Sequence, residues 1–548
     1  MTVSTEAAPT APPKVRREVL ESLIGLMLGM FVAILSSSVV SSSLPKIISD
    51  LNGSQASYTW VVTATLLAMT VSTPIWGKLA DLFNRKLLVQ LSLILVVVGS
   101  GLAGLAHSTE MLIGFRVVQG LAAGGLTALS TVVISDLISP RERGRYMGIL
   151  GGVMSVGMVG GPLLGGVITD TSWLGWRWNF YVAVPFAVLA IIVLQKTLHL
   201  PKLPRRAVRI DYLGATLIAA GVSLLLIWVT LAGQKYAWAS WQTAAMVIGG
   251  VAVLAAAVAV ELRTAEPIIP MRLFRNRTVV LAIIASVTVG VAMFGTSVFL
   301  SQYMQIARDK TPTQSGLLTL PMVLGSLAAS IVVGQIISKT GRWKRWMVIG
   351  GLLTIAGIAL MGTIGSHTSF VLLSVYMAVL GLGVGMTMQN LVLVVQNSIN
   401  IRDMGAATAT VTFFRSMGGA MGVSALGALL GNRTATLIAD GLTRLGIPTP
   451  GGSGGHAIPN LAALPGPVRT VVEDAFGQGV AELFLAAIPL AVISLVAILL
   501  LKEVPLGTKT GVELAREELA NEAAGQAGVP ADLAPLTSAP TRAADSPR

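Results

Sequence analysis

Arg116 and Arg415 stand inside long apolar runs of a 548-residue chain, in the strings GFRVVQG and FFRSMGG. A cation at mid-membrane costs about 2.5 to 3.5 kcal/mol on insertion scales, so ionisable residues placed there mark pathways, relays or paired sites. No Asp, Glu or His falls in the middle of any such run: Glu110, Glu261 and Glu482 lie near the ends, and His107, His199, His367 and His456 fall between runs. Glu110 precedes Arg116 by six residues, about 9 Å along a helix, and is the carboxylate expected to couple to that arginine, with Asp81, Asp136 or Glu482 next. Uncharged polar residues cluster at Gln119, at Gln302 with Gln305, and at Gln389 with Asn390. They suit a cavity whose walls are otherwise apolar and which orients a ligand by a few hydrogen bonds. Ser36, Ser37 and Ser38, with Ser41 to Ser43, either bond back to helix carbonyls or line that cavity. The chain has no cysteine, which removes thiolate metal sites, disulfides and cysteine nucleophiles. With no nucleotide loop, metal-ligand cluster or activated nucleophile either, neither an enzyme nor a bound metal or cofactor is expected.

The elements that must carry these residues follow from composition. At 53% hydrophobic and 11% charged, with mean hydropathy +0.77, the chain is far from the roughly 25% charged residues of soluble domains. Fourteen apolar runs, the first near 22 to 44 and the last near 481 to 502, are each long enough for a helix to cross a hydrocarbon core of about 30 Å. The expected fold class is therefore an all-α integral membrane protein with 14 transmembrane helices. The net charge of +13 is spread between runs rather than gathered on one face, so it reports topology and not nucleic acid. With a cytoplasmic N-terminus the inner segments hold 28 Lys and Arg and the outer segments 8, which fixes the orientation by the positive-inside rule and places both termini inside.

Outside the spans, residues 432–480 form an outer stretch containing PTPGGSGGHAIPN, read as a loop with one surface helix near Val468 to Ala475 or as a guide at the outer mouth. The tail at 503–548 has few large apolar residues, the composition of a disordered segment. An internal repeat is visible as well. Gly77, Asp81 and Arg85 in GKLADLFNRK return 257 positions later in GQIISKTGRWKR as Gly334, Ser338 and Arg342. Transporters built from such repeats place substrate between two halves that move against each other.

GKLADLFNRK resembles motif A of the major facilitator superfamily, RVVQG at Arg116 to Gly120 its motif B, and GMVGGPLLGG at Gly157 to Gly166 the antiporter motif C. With WRWNFY, QSGLLTLP and FFRSMGGAMG, the chain resembles the 14-helix drug:proton antiporter branch of that family. The resemblance implies a major facilitator fold of two six-helix halves, 22–196 and 278–502, with two helices inserted at 197–277 and a cytoplasmic tail at 1–21. It implies a latch at Asp81 and Arg85 that releases when the inner side opens, proton coupling at Arg116, and an interhalf helix carrying Gly157, Gly161, Pro162 and Gly165. Read from spacing alone, those glycines are a four-residue stripe for close helix approach. Where the branch carries an aspartate on the first helix, this chain has Ser36, so the proton carrier is not identifiable by resemblance.

The function expected is export of drugs, antibiotics or other amphiphilic small molecules across the cytoplasmic membrane by proton antiport with alternating access, in a monomer. An uptake symporter or a lipid or metabolite exporter of the same fold is the alternative. Ser36, Gln119, Gln302, Gln305, Gln389, Asn390 and Arg415 are the expected cavity residues; protons, lipid and a small amphiphile are the expected partners.

Overall fold

In the computed structural model the described residues are 13–51, 55–171, 173–198, 211–232, 236–264, 267–310, 312–400, 403–447, 465–507 and 513. The string PTPGGSGGHAIPN, the basic cluster Lys202 to Arg209 and nearly all of the terminal tails lie outside them. Among the described residues 14 helices are long and apolar enough to span a membrane. In chain order they are α1 (Pro13–Asp50), α2 (Gln55–Leu82), α3 (Arg85–Gly104), α4 (Thr109–Leu137), α5 (Pro140–Asp170) and α6 (Trp178–Thr197). Then follow α7 (Tyr212–Leu231), α8 (Trp241–Glu261), α9 (Arg277–Gln302), α10 (Leu320–Thr340), α11 (Lys344–Met361), α12 (Phe370–Gln396), α13 (Met404–Arg444) and α14 (Gly466–Leu500). This is a multi-pass membrane protein in which every span satisfies its backbone internally.

Polar residues set the turns. Asn84, Ser108, Asp211, Ser240 and Asn276 each accept a backbone N–H in the first turn of the helix that follows, which occupies donors that helix geometry leaves open. Gly341, at φ +69°, ends α10 in the left-handed region, a conformation that favours glycine.

Helices α1 to α6 pack into one body and α9 to α14 into a second, and the two meet along α2 with α13 and along α5 with α10. The face carrying the α2–α3, α4–α5, α10–α11 and α12–α13 turns is termed proximal here, and the opposite face distal. Helices α7 and α8 pair with each other and lean on α2 and α13 from outside, with Trp241, Ile248 and Val251 exposed, as suits a lipid-facing surface.

The outer stretch departs from the expectation. Residues 432–444 continue α13 and 466–480 begin α14. Arg433 holds Glu482 in a two-pronged ion pair at 2.5 and 3.0 Å, and Arg469 bridges Asp309 and Glu473, each at 2.7 Å. Paired along adjoining helices, these charges extend the α13–α14 hairpin.

Candidate functional site

The closest approaches between halves lie at the proximal face. A side chain at Gly77 would meet the Ala409 methyl at 2.2 Å, and one at Gly405 would meet the Gly77 carbonyl at 2.5 Å, so α2 and the start of α13 touch backbone to backbone. That contact brings Asp81, whose side chain is 6% exposed, to the α13 N-terminus. Its two oxygens accept the Gly405 N–H at 3.0 Å and the Ala406 N–H at 2.9 Å. An anion on unpaired N–H groups at a helix N-terminus is favoured both by hydrogen bonding and by the helix dipole.

Arg85 continues the network inward. It donates to Asp136 at 2.5 Å and to the Ala80 carbonyl at 2.9 Å, and stands 3.7 Å from Asp81. Fully buried Arg143, on α5, donates to the Ser135 and Ile138 carbonyls and, across the halves, to Gln396 of α12 at 2.7 Å. Gln396 in turn donates to Thr408 of α13 at 3.0 Å. Asp81, Arg85, Asp136, Arg143, Gln396 and Thr408 thus run from α13 through the first half and back to α13. Sequence reading found Asp81 and Arg85 but missed Arg143 and Gln396. In PRERGRYMG one arginine among three looks like any other solvated charge, and only burial separates it.

Arg116 is buried in the first half. It donates to the Ser36 carbonyl at 3.2 Å and to Gln119 at 3.0 Å, and Gln119 donates to Ser100 at 2.8 Å. The Ser36 hydroxyl itself bonds back to the Val32 carbonyl at 2.7 Å, as Ser37 and Ser38 do to Ala33 and Ile34. A serine hydroxyl closes that local bond readily inside a helix, so the arginine takes the main chain where a carboxylate would otherwise have faced it. Glu110 is not brought to Arg116: it is exposed in the first turn of α4, with Thr109 as hydrogen-bond partner. Arg415 is buried in the second half, 3.4 Å from the Met388 carbonyl. Among the described residues the partners of Arg116 and Arg415 are carbonyls and an amide, with no ion pair to an acid.

Of the expected cavity residues, Gln389 reaches across the halves to the Met154 sulfur at 3.3 Å, while Asn390 bonds back to Met386 within its helix. Gln302 and Gln305 sit at the distal end of α9, where a π-helical turn spans Tyr303–Ala307 and Gln305 donates to Ser301 at 3.0 Å. They are not part of the Arg116 cluster.

The motif C stripe is corrected by its neighbours. Side chains at Gly157 and Gly161 would strike Ile34 and Ser38 of α1, and the Gly157 and Gly165 carbonyls accept from Ser38 and Ser43, so this stripe packs α5 inside its own half. Pro162 sits within the same unbroken helix. The contact between halves is made by a second set: Gly148 faces the Ser330 carbonyl, Gly152 faces Leu327, and Gly334 of α10 faces the Gly144 carbonyl. Thirteen residues separate Gly144 from Gly157, which at 3.6 residues per turn puts the two stripes about 140° apart. Each therefore serves a different neighbour.

Two six-helix bodies joined by two close seams, with a polar network across one face and buried arginines that pair with no acid among the described residues, fit a carrier rather than an enzyme. The chain belongs to the Major Facilitator Superfamily, whose family model matches residues 26–423. It is similar to the multidrug transporter protein MdtP of Bacillus subtilis, 33% identical with 77% of this chain and 77% of that one covered. Efflux pump FUS6 of Gibberella moniliformis is 32% identical, with 75% of this chain and 74% of that one covered. Among solved structures, the proton:xylose symporter XylE shares the fold at a TM-score of 0.59 and 16% identity, over 92% of this chain and 99% of that one.

Proposed function

We propose that this transporter exports amphiphilic small molecules by proton antiport, alternating between states in which the proximal or the distal face is open. The observation that carries the reading is the pair of hydrogen bonds from Gly405 and Ala406 to Asp81, which ties the halves at one face only through groups able to separate. Relatives named as a multidrug transporter and an efflux pump support the substrate class and direction. By the order of spans, the proximal-side segments, tails and the connections to the inserted helices included, hold 28 of the 38 Lys and Arg, which supports a cytoplasmic proximal face. On this reading the halves are 22–196 and 278–502, the insertion is 197–277, and one chain suffices. Arg116 and Arg415 facing no acid favour neutral or weakly anionic amphiphiles, because a cation leaving water needs a countercharge.

Proteoliposomes loaded with a pH-sensitive dye, under an imposed proton gradient and a panel of labelled compounds, test the proposal. Export requires compound and proton to move in opposite directions, with Arg116→Ala inactive but still inserted in the membrane. Movement in the same direction establishes uptake symport and overturns it.

A further inference from the structure

At the base of the inserted hairpin two carboxylates meet out of water. Asp211 precedes α7 and Glu261 ends α8; they are 9% and 3% exposed. Each uses one oxygen on the main chain: Asp211 Oδ1 accepts the Gly214 N–H at 2.7 Å and Glu261 Oε2 accepts the Ile269 N–H at 3.3 Å. The remaining oxygens, Asp211 Oδ2 and Glu261 Oε1, are buried with no hydrogen-bond partner. Both converge on Gly214, lying 2.4 and 2.8 Å from where a side chain there would begin. The absence of a side chain at that one position is what lets the two acids approach each other.

Two ionised carboxylates whose free oxygens face one glycine, removed from water, repel one another, and an ionised carboxylate has no proton of its own to donate. One proton placed between Oδ2 and Oε1 removes one charge and satisfies both orphaned oxygens together. We infer that Asp211 and Glu261 form a proton-binding site, sharing a single proton at the proximal base of the α7–α8 hairpin.

Among the described residues near the site, Arg263 is exposed and Arg272 pairs with Asp403 at 2.7 Å. That this proton is the one exchanged for substrate rests on the antiport reading above; its binding does not.

The test is infrared difference spectroscopy on the full chain in phospholipid vesicles, titrated from acid to alkaline pH. The expected result is a protonated-carboxyl C=O band that shifts in D2O and is lost in both Asp211→Asn and Glu261→Gln. Each amide donates an N–H where the proton would have been, so these variants keep the hydrogen bond and the fold. A band that survives either substitution overturns the site, and so does a band that appears only when sodium is replaced by choline, which would mark a cation site. Substrate-driven proton flux is read separately in the same vesicles. Its absence from the wild type, with the carboxyl band behaving as expected, removes the antiport reading and leaves the proton site standing.

Discussion

At the α2–α13 seam, Gly77 and Gly405 bring two backbones together and Asp81 then binds the exposed N–H groups of the partner helix. At the α5–α10 seam, Gly148 and Gly334 bring backbones equally close, but the position equivalent to Asp81 is Ser338, which carries no charge. The repeat has thus kept the steric half of the device twice and the electrostatic half once. Close packing without charge holds two surfaces wherever they fit, whereas a buried anion on a helix N-terminus fixes one register and has an alternative partner in water. On the reading proposed above, the second seam adheres and the first switches.

Overfilling the adhesive seam should have the largest effect. A valine at Gly148 begins 2.1 Å from the Ser330 carbonyl oxygen, and overpacking of this kind costs about 1–3 kcal/mol, a shift of roughly 5- to 150-fold in the closed population. Crosslinking of the proximal ends in Gly148→Val membranes should fall accordingly, and crosslinking at wild-type yield would deny that this seam is packed through its glycines. Thr408→Val should act less, since it removes the acceptor of one neutral hydrogen bond from Gln396, about 0.5–1.5 kcal/mol. Its effect on the same crosslink should be several-fold, and smaller again if Arg143 alone holds the two halves. The gentlest change adds charge to the second seam. Ser338→Asp should tighten it by about 0.3–1 kcal/mol through the α5 N-terminus, seen as slower opening; faster opening would mean that the repeat is not equivalent there.

Much of this architecture was legible without coordinates, because span length and hydropathy are properties of local composition. The 14 apolar runs are the 14 helices, and Asp81 and Arg85 announced themselves by repeat and motif. What sequence could not supply was which neighbour each face of a helix meets. The Gly157, Gly161 and Gly165 stripe and the Gly144, Gly148 and Gly152 stripe have the same spacing, yet one faces α1 and the other α10. Glu110 was placed correctly along α4 but points outward, since distance along an axis says nothing of azimuth. Arg143, Asp211 and Glu261 were hidden for a related reason: charges near span ends are usually solvated, and theirs are buried by neighbours far away in sequence.

The central claim is that Asp81 holds the proximal face closed. The chain has no cysteine, so single cysteines introduced at Phe83 and Asn400, both exposed and on opposite halves, carry spin labels without background. Pulsed dipolar spectroscopy of wild type and Asp81→Asn in lipid nanodiscs then reads the distance across the latch. Removing the charge weakens hydrogen bonds worth about 1.5–3 kcal/mol when the acceptor is ionised, so a second, longer distance should appear at least tenfold more populated in Asp81→Asn than in wild type. Superimposable distributions for the two proteins would contradict the latch.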